Sequence, residues 1–197
     1  MTKINSIFVK TPKCAGTSLM NVFVATNIEI IKFGRIEHKR SINPYFFDNS
    51  FKFAFVRNPY DRIVSAYYHC VRHKWFSGSF KKMVTTPLKD LHPKTTQHIQ
   101  PLVLHLSLNK IEYRKNNYEF PPNQEDLNVD YLNFIGKFEN LQQDFNILCG
   151  IIGIPQQKLP HKNTTKHKHY SEYYDNETRK VVSKNYAKDI ELFGYNF

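Results

Sequence analysis

Three times along this chain a short apolar run gives way to a polar loop and then to apolar residues at helical spacing, and this alternation restricts the fold more than any other feature. Ile7-Phe8-Val9 ends at Lys10-Thr11-Pro12, and after Gly16 the residues Leu19, Met20, Val22 and Phe23 recur at helical intervals behind the hydroxyls Thr17 and Ser18. Phe51-Lys52-Phe53-Ala54-Phe55-Val56 reads as a strand broken by Arg57-Asn58-Pro59, after which Tyr60, Ile63, Val64, Tyr67 and Val71 follow at i, i+3, i+4, i+7 and i+11. Tyr131 to Ile135 reads as a third buried strand, passing through Gly136 to a helix that begins near Asn140 and carries Leu141, Phe145 and Leu148. Units of this kind in series need parallel strands with helical crossovers. The expected fold is therefore α/β, one domain over residues 1–197, with a central parallel sheet flanked by helices.

A chain of 197 residues that is 41% hydrophobic and 15% aromatic can bury one substantial core. Residues 75–128 are rich in Lys, His, Pro and Asn and show little periodicity beyond His98 to Leu108, so short helices and loops covering a cleft are expected there. The tail is expected to run helically from a capping Asp175 to Phe193-Gly194-Tyr195-Asn196-Phe197. Cys14, Cys70 and Cys149 stand far apart without a CxxC pair, which argues against a zinc site or a disulfide framework and for a reducing compartment. No apolar run approaches the ~20 residues of a membrane span, and the burst before Lys10 is too short for a signal peptide. A soluble cytoplasmic protein is expected.

The formal charge of +11, from 28 Lys+Arg against 17 Asp+Glu, produces a field that attracts polyanions. Nucleic acid, sulfated or carboxylated glycans and phosphate-rich nucleotides all qualify. The loop Lys10-Thr11-Pro12-Lys13-Cys14-Ala15-Gly16-Thr17-Ser18 joins a strand to a helix, and backbone N–H groups there, with a glycine, two hydroxyls and a lysine, suit a phosphate-like anion. The lysine precedes the glycine, so this is not the Gly-x-x-x-x-Gly-Lys-Ser/Thr loop of P-loop ATPases and GTPases. In the second loop Arg57 ends a strand, where open α/β sheets bind ligands, and its forked donors suit phosphate; an ion pair with Asp61 is the alternative. Ser65 lies two helical turns further on.

Together, Thr11-Pro12-Lys13-x-Ala15-Gly16-Thr17-Ser18 and Arg57-Asn58-Pro59-x-x-Arg62-x-x-Ser65-x-Tyr67 resemble the 5′-phosphosulfate and 3′-phosphate signatures of the sulfotransferase superfamily. The resemblance is closest to its carbohydrate type, the Golgi heparan and chondroitin enzymes and their bacterial relatives. It continues through Phe134-Ile135-Gly136-Lys137-Phe138-Glu139-Asn140-Leu141, Leu159-Pro160-His161-Lys162-Asn163 and Asp189-Ile190-Glu191-x-Phe193-Gly194-Tyr195, nearly the whole chain. It implies a P-loop-like sulfotransferase fold and in-line transfer of a sulfuryl group from 3′-phosphoadenosine 5′-phosphosulfate (PAPS) to a glycan hydroxyl, less favourably an amine, leaving 3′-phosphoadenosine 5′-phosphate (PAP). No metal is implied. The resemblance assigns Lys13 to the leaving phosphate and Cys14, Ala15, Gly16, Thr17 and Ser18 to the 5′-phosphate. Arg57 and Ser65, with Lys166 or Lys168 from a late basic loop, are assigned to the 3′-phosphate, the variable residues 75–128 to the acceptor, and His38 to the base, with Glu37 as the alternative.

Gln97 and His98 lie where an acceptor could be reached. The chain has Cys14 and Lys10 where many relatives carry Thr and His, and a thiol at a helix N-terminus beside Lys13 leaves a depressed-pKa cysteine enzyme formally open. Two further readings compete: a nucleic-acid-binding module, on the charge and the interleaved Tyr67, Tyr68, His69, Arg72, His73, Lys74 and Trp75, and a small-molecule kinase. The resemblance favours the glycan acceptor over nucleic acid.

Overall fold

In the computed structural model residues 4–24, 26, 28–32, 43–107, 127, 129–160 and 167–197 are described. Four parallel strands, β1 (Ser6–Lys10), β2 (Ile28–Lys32), β3 (Phe51–Val56) and β4 (Phe134–Lys137), form one sheet in the order β2-β1-β3-β4. Phe8 pairs with Ile30 on one side and Phe53 on the other, and Val56 pairs with Lys137. From β1 the chain leaves towards β2, and from β3 it leaves the other way, towards β4. The order therefore reverses between β1 and β3, and at such a switch point the loops leaving both strands open a crevice at the carboxyl edge.

Helix α1 (Gly16–Phe23) follows β1, α2 (Pro44–Asn49) precedes β3, and α3 (Pro59–Arg72) follows it. Short helices α4 (Phe80–Thr85), α5 (Pro93–Ile99) and α6 (Leu102–Leu106) occupy the described part of the aperiodic stretch. After β4 come α7 (Leu141–Ile152), α8 (Asn176–Asn185) and α9 (Ala187–Phe193). No helix among the described residues is long and apolar enough to cross a membrane.

The central strands carry near-continuous apolar runs, Ile7 to Val9 and Phe53 to Val56, because both faces are covered. Phe8 stacks on Phe53 at 5.3 Å, Phe23 of α1 meets both edge-on, and Phe145 of α7 lies 6.2 Å from Phe23. Each ring buried in this way contributes roughly 1.5–3 kcal/mol. Gly136 brings β4 against this layer: a Cβ there would stand 2.4 Å from Phe55 Cε1. A second cluster joins Ile63 and Val64 of α3 to Met83, Ile99, Val182 and Tyr186.

Three boundaries differ from the sequence reading. The last strand starts at Phe134 instead of Tyr131, since the preceding residues are anchored by polar bonds. Asn133 exchanges two hydrogen bonds with Lys52, at 2.7 and 2.8 Å, and the Tyr131 hydroxyl donates to the Leu106 carbonyl. The sheet also holds β2, an edge strand whose apolar residues alternate with Glu29. The tail is two helices that turn at Tyr186; α8 is capped by Asp175, which forms a capping box with Thr178.

A buried ionic link fixes the region beside the crevice. The fully buried Arg62 donates to the carbonyls of His98 (3.0 Å), Ile99 (3.3 Å) and Gln100 (2.8 Å), and stands 4.0 Å from Asp189. Asp189 accepts from the Leu102 and Val103 N–H groups, at 2.7 and 2.8 Å, at the start of α6.

Candidate functional site

The loop after β1 is tied to the neighbouring strand by the Thr11 hydroxyl, which donates to the Phe55 carbonyl. Lys13 and Ala15 both adopt left-handed backbone, φ 63° and 56°. Non-glycine residues held there cost of order 1–3 kcal/mol each, and left-handed turns gather successive N–H groups into an anion-binding concavity. Helix α1 starts next, with no side-chain cap and no acidic residue in its first turn, so the positive end of its dipole faces the loop without a competing carboxylate from its own sequence. Gly16 allows the Lys10 stem to cross the loop; a Cβ there would meet Lys10 Cε at 2.7 Å.

Arg57 joins the two loops. Its Nε donates to Asp61 at 2.8 Å, its Nη1 donates to the Lys13 carbonyl at 3.1 Å, and its guanidinium lies 3.9 Å from the centre of the Phe138 ring. Asn58 caps α3 through Tyr60 N–H and donates through Nδ2 to the Asn196 carbonyl. Its own N–H donates to Glu139, whose other oxygen accepts from the Tyr195 hydroxyl. The ends of β3 and β4 and the C-terminus are thereby fastened together.

Between these loops lies a cavity of about 930 Å³. Among the described residues its wall carries the cations Lys10, Lys13, Arg57 and Arg72 and the carboxylate of Glu139, with His69 of α3, His73 just after it, His98 of α5 and His167. Burial, then the cations Arg57 and Arg72, brings the Lys13 ammonium down to about 8. Burial, then Lys13, His98, His73 and Arg72, brings His69 down to about 3. His98 is lowered by burial, against the opposing effect of its hydrogen bond to the Lys94 carbonyl. A wall that resists further positive charge in this way is underneutralised, and an anionic ligand relieves it.

The sulfotransferase family model matches residues 2–196. The chain belongs to the sulfotransferase family. A solved structure with a similar fold is the crystal structure of a sulfotransferase from Alicyclobacillus acidocaldarius, with TM-score 0.54 and 15% identity over 100% of this chain and 98% of that one. No curated protein matches.

In this sulfotransferase the wall brings together Lys13, Ala15, Gly16, Thr17, Ser18 and Arg57. The Arg57 to Asp61 ion pair left open by the sequence is formed, alongside the bond to the Lys13 carbonyl. Cys14 sits behind the wall, its thiol donating to the Pro12 carbonyl and pushed up to about 11 by burial. This removes the depressed-pKa nucleophile entertained from sequence. Ser65 is buried on α3, one turn before His69 and off the wall. Lys168 is exposed and paired with Glu172 at 3.1 Å, whereas its neighbour His167 reaches the wall and stacks on Tyr68. Glu37, His38 and Lys166 lie outside the described residues. Gln97 is half-buried off the wall, while His98 is on it.

The sequence reading named His69, Arg72 and His73 only under the nucleic-acid alternative and not as residues of the donor site. A signal was present: they follow Ser65 at i+4, i+7 and i+8, one face of a helix that begins at the second loop. Glu139 and Phe138 had no comparable local sign beyond their place in the family-like phrase after β4.

Proposed function

We propose that this sulfotransferase takes its sulfuryl group from PAPS and delivers it to a hydroxyl of a glycan or glycoconjugate. The observation that carries this reading is Lys13, held left-handed in a cationic cavity where the loops after β1 and β3 meet. The residues present fit the donor: the cavity is at the upper end of the ~300–1,000 Å³ range of ligand pockets, and its two cationic loops suit two phosphate groups. When bound, the donor supplies an activated sulfuryl group on a phosphate leaving group.

The chain's own part is positioning and charge. The Lys13 ammonium is assigned to the oxygen that gains charge as the leaving phosphate departs, where a fixed cation lowers the barrier. The amides from Cys14 to Gly16 and the Thr17 and Ser18 hydroxyls are assigned to the 5′-phosphate. Arg57 is assigned to the 3′-phosphate through Nη2, which has no hydrogen-bond partner among the described residues. Ser65 and Lys166 or Lys168 are proposed to join it; Lys168 engages by leaving Glu172. The glycan acceptor rests on the net charge of +11 and on the sequence resemblance.

The test is calorimetric titration with PAP, beside ATP with Mg²⁺ and a short single-stranded oligonucleotide. Tight, metal-independent binding of PAP alone supports the reading. Binding of ATP or the oligonucleotide instead refutes it in favour of a kinase or a nucleic-acid module.

A further inference from the structure

A second cleft, of about 410 Å³, is cut into the cluster formed by α3, α4, α5 and α8. Among the described residues it shares no lining residue with the donor cavity. Helix α5 contributes to both, through Ile99 in the second cleft and His98 in the first. We propose that this second cleft binds a single-chain amphiphile with a carboxylate head, a fatty-acid-like ligand. The inference is independent of the donor reading.

The wall suits a hydrocarbon tail. Ile63, Met83, Ile99 and Val182 line it, none more than 3% exposed, with Val84 and Leu88 half-buried beside them. Most polar groups nearby are already bonded within the chain. The Thr85 and Thr86 hydroxyls donate to the Lys81 and Lys82 carbonyls at 2.9 and 2.6 Å. The Leu88 carbonyl accepts from the Thr96 hydroxyl at 2.8 Å, and the Tyr186 hydroxyl donates to the Ile99 carbonyl. Water in such a cleft finds few partners, and an ordered water needs two to four. Protein interiors leave few voids larger than a water molecule, because a wall without neighbours forfeits dispersion contacts. The volume falls within the ~300–1,000 Å³ of ligand sites, which are mostly apolar with a few placed polar groups.

The polar groups that remain decide the head. The Asn185 side chain, half-buried on the wall, has no hydrogen-bond partner among the described residues. Its NH₂ is a donor for a carboxylate oxygen. Lys89 also lines the cleft, and among the described residues no carboxylate does. The net charge of +11 favours an anion over a cation in the same place. A tail laid against Met83 and Ile99, with its carboxylate at Asn185 and Lys89, meets each kind of surface the wall offers.

The chain's 3 methionines make the test direct. Met83 lines the cleft, whereas Met20 lies in α1, the helix that follows the donor loop. In carbon-13 NMR of the methionine methyl groups, with Met83 assigned by its loss in Met83→Leu, decanoate below its micelle concentration shifts Met83 saturably and leaves Met20 in place. Octanoate, two methylenes shorter, binds roughly 15-fold more weakly. Decyltrimethylammonium, with nearly the same tail and the opposite charge, binds at least about tenfold more weakly than decanoate, and Lys89→Gln combined with Asn185→Leu narrows that gap. Val181→Phe, at a half-buried position on the wall, fills the cleft and abolishes the Met83 shift; Leu88→Phe does the same from the facing segment, and circular dichroism shows which variant keeps the fold. A Met83 signal that stays still, that moves together with Met20, that responds equally to both head charges, or that moves only with phosphatidylglycerol vesicles overturns the proposal. So does decanoate binding that is unchanged in a folded Phe variant.

Discussion

Asp189→Asn removes one negative charge from the interior and leaves the fully buried Arg62 without its carboxylate. The carboxylate now accepts two backbone N–H groups at the start of α6. An amide of the same shape accepts one of them through its oxygen and presents an NH₂ to the other. A hydrogen bond to a charged group contributes about 1.5–3 kcal/mol, and breaking a buried ion pair from one side costs about 3–5 kcal/mol. Three carbonyls still solvate the guanidinium and Asp189 stands 4.0 Å from it, so the lower half of that range is expected, about 3–4 kcal/mol. For a chain of this size, at about 2–4 °C per kcal/mol, the melting temperature should fall by roughly 6–16 °C. The assay is thermal unfolding followed by circular dichroism at neutral pH. Burial pushes the Asp189 carboxyl up despite Arg62 and both N–H groups, so desolvation outweighs pairing. Arg62→Met combined with Asp189→Leu should therefore lose at least about 1 kcal/mol less than the sum of the single changes. A fall under about 3 °C in Asp189→Asn, with simple additivity in the pair, would show that the three carbonyls alone satisfy Arg62 and refute the argument.

Lys13 titrates at about 8 in the free protein, so it is charged below that pH and neutral above it. PAP affinity measured calorimetrically from pH 7 to 10, above the second phosphate ionisation near ~6, should weaken above about 8, and Lys13→Ala should abolish that alkaline limb. Arg57→Ala should weaken PAP far more than adenosine 5′-phosphate, by about 1.5–3 kcal/mol of binding free energy, and equal losses by calorimetry would remove the 3′-phosphate assignment. Gly136→Ala drives a methyl group into the Phe55 ring and should cost about 1–3 kcal/mol in denaturant unfolding, with partial recovery in Gly136→Ala combined with Phe55→Leu.

What could be read from the chain itself was whatever depends on neighbours in sequence. The apolar runs of β1 and β3 stand out because those strands are buried on both faces, and the loops that follow them carry Lys13, Gly16 and Arg57 within a few residues of the strand end. Strand order was not legible locally, but parallel strands with helical crossovers leave few arrangements, and each puts these loops on the same edge. Edge strand β2 escaped notice because it is short and interrupted by Glu29, and β4 was placed three residues early because the polar anchors at Asn133 and Tyr131 act through Lys52 and Leu106, far away in the chain. The imidazole cluster on the cavity wall was out of reach for the same reason. His69 acquires its environment only when α5 packs on α3 and brings His98 and Lys94 across, held there by Arg62 and Asp189, which are far apart in the sequence. Local chemistry marks where an anion can sit; which imidazole stays neutral beside it depends on burial and on charges that only the folded chain brings within range.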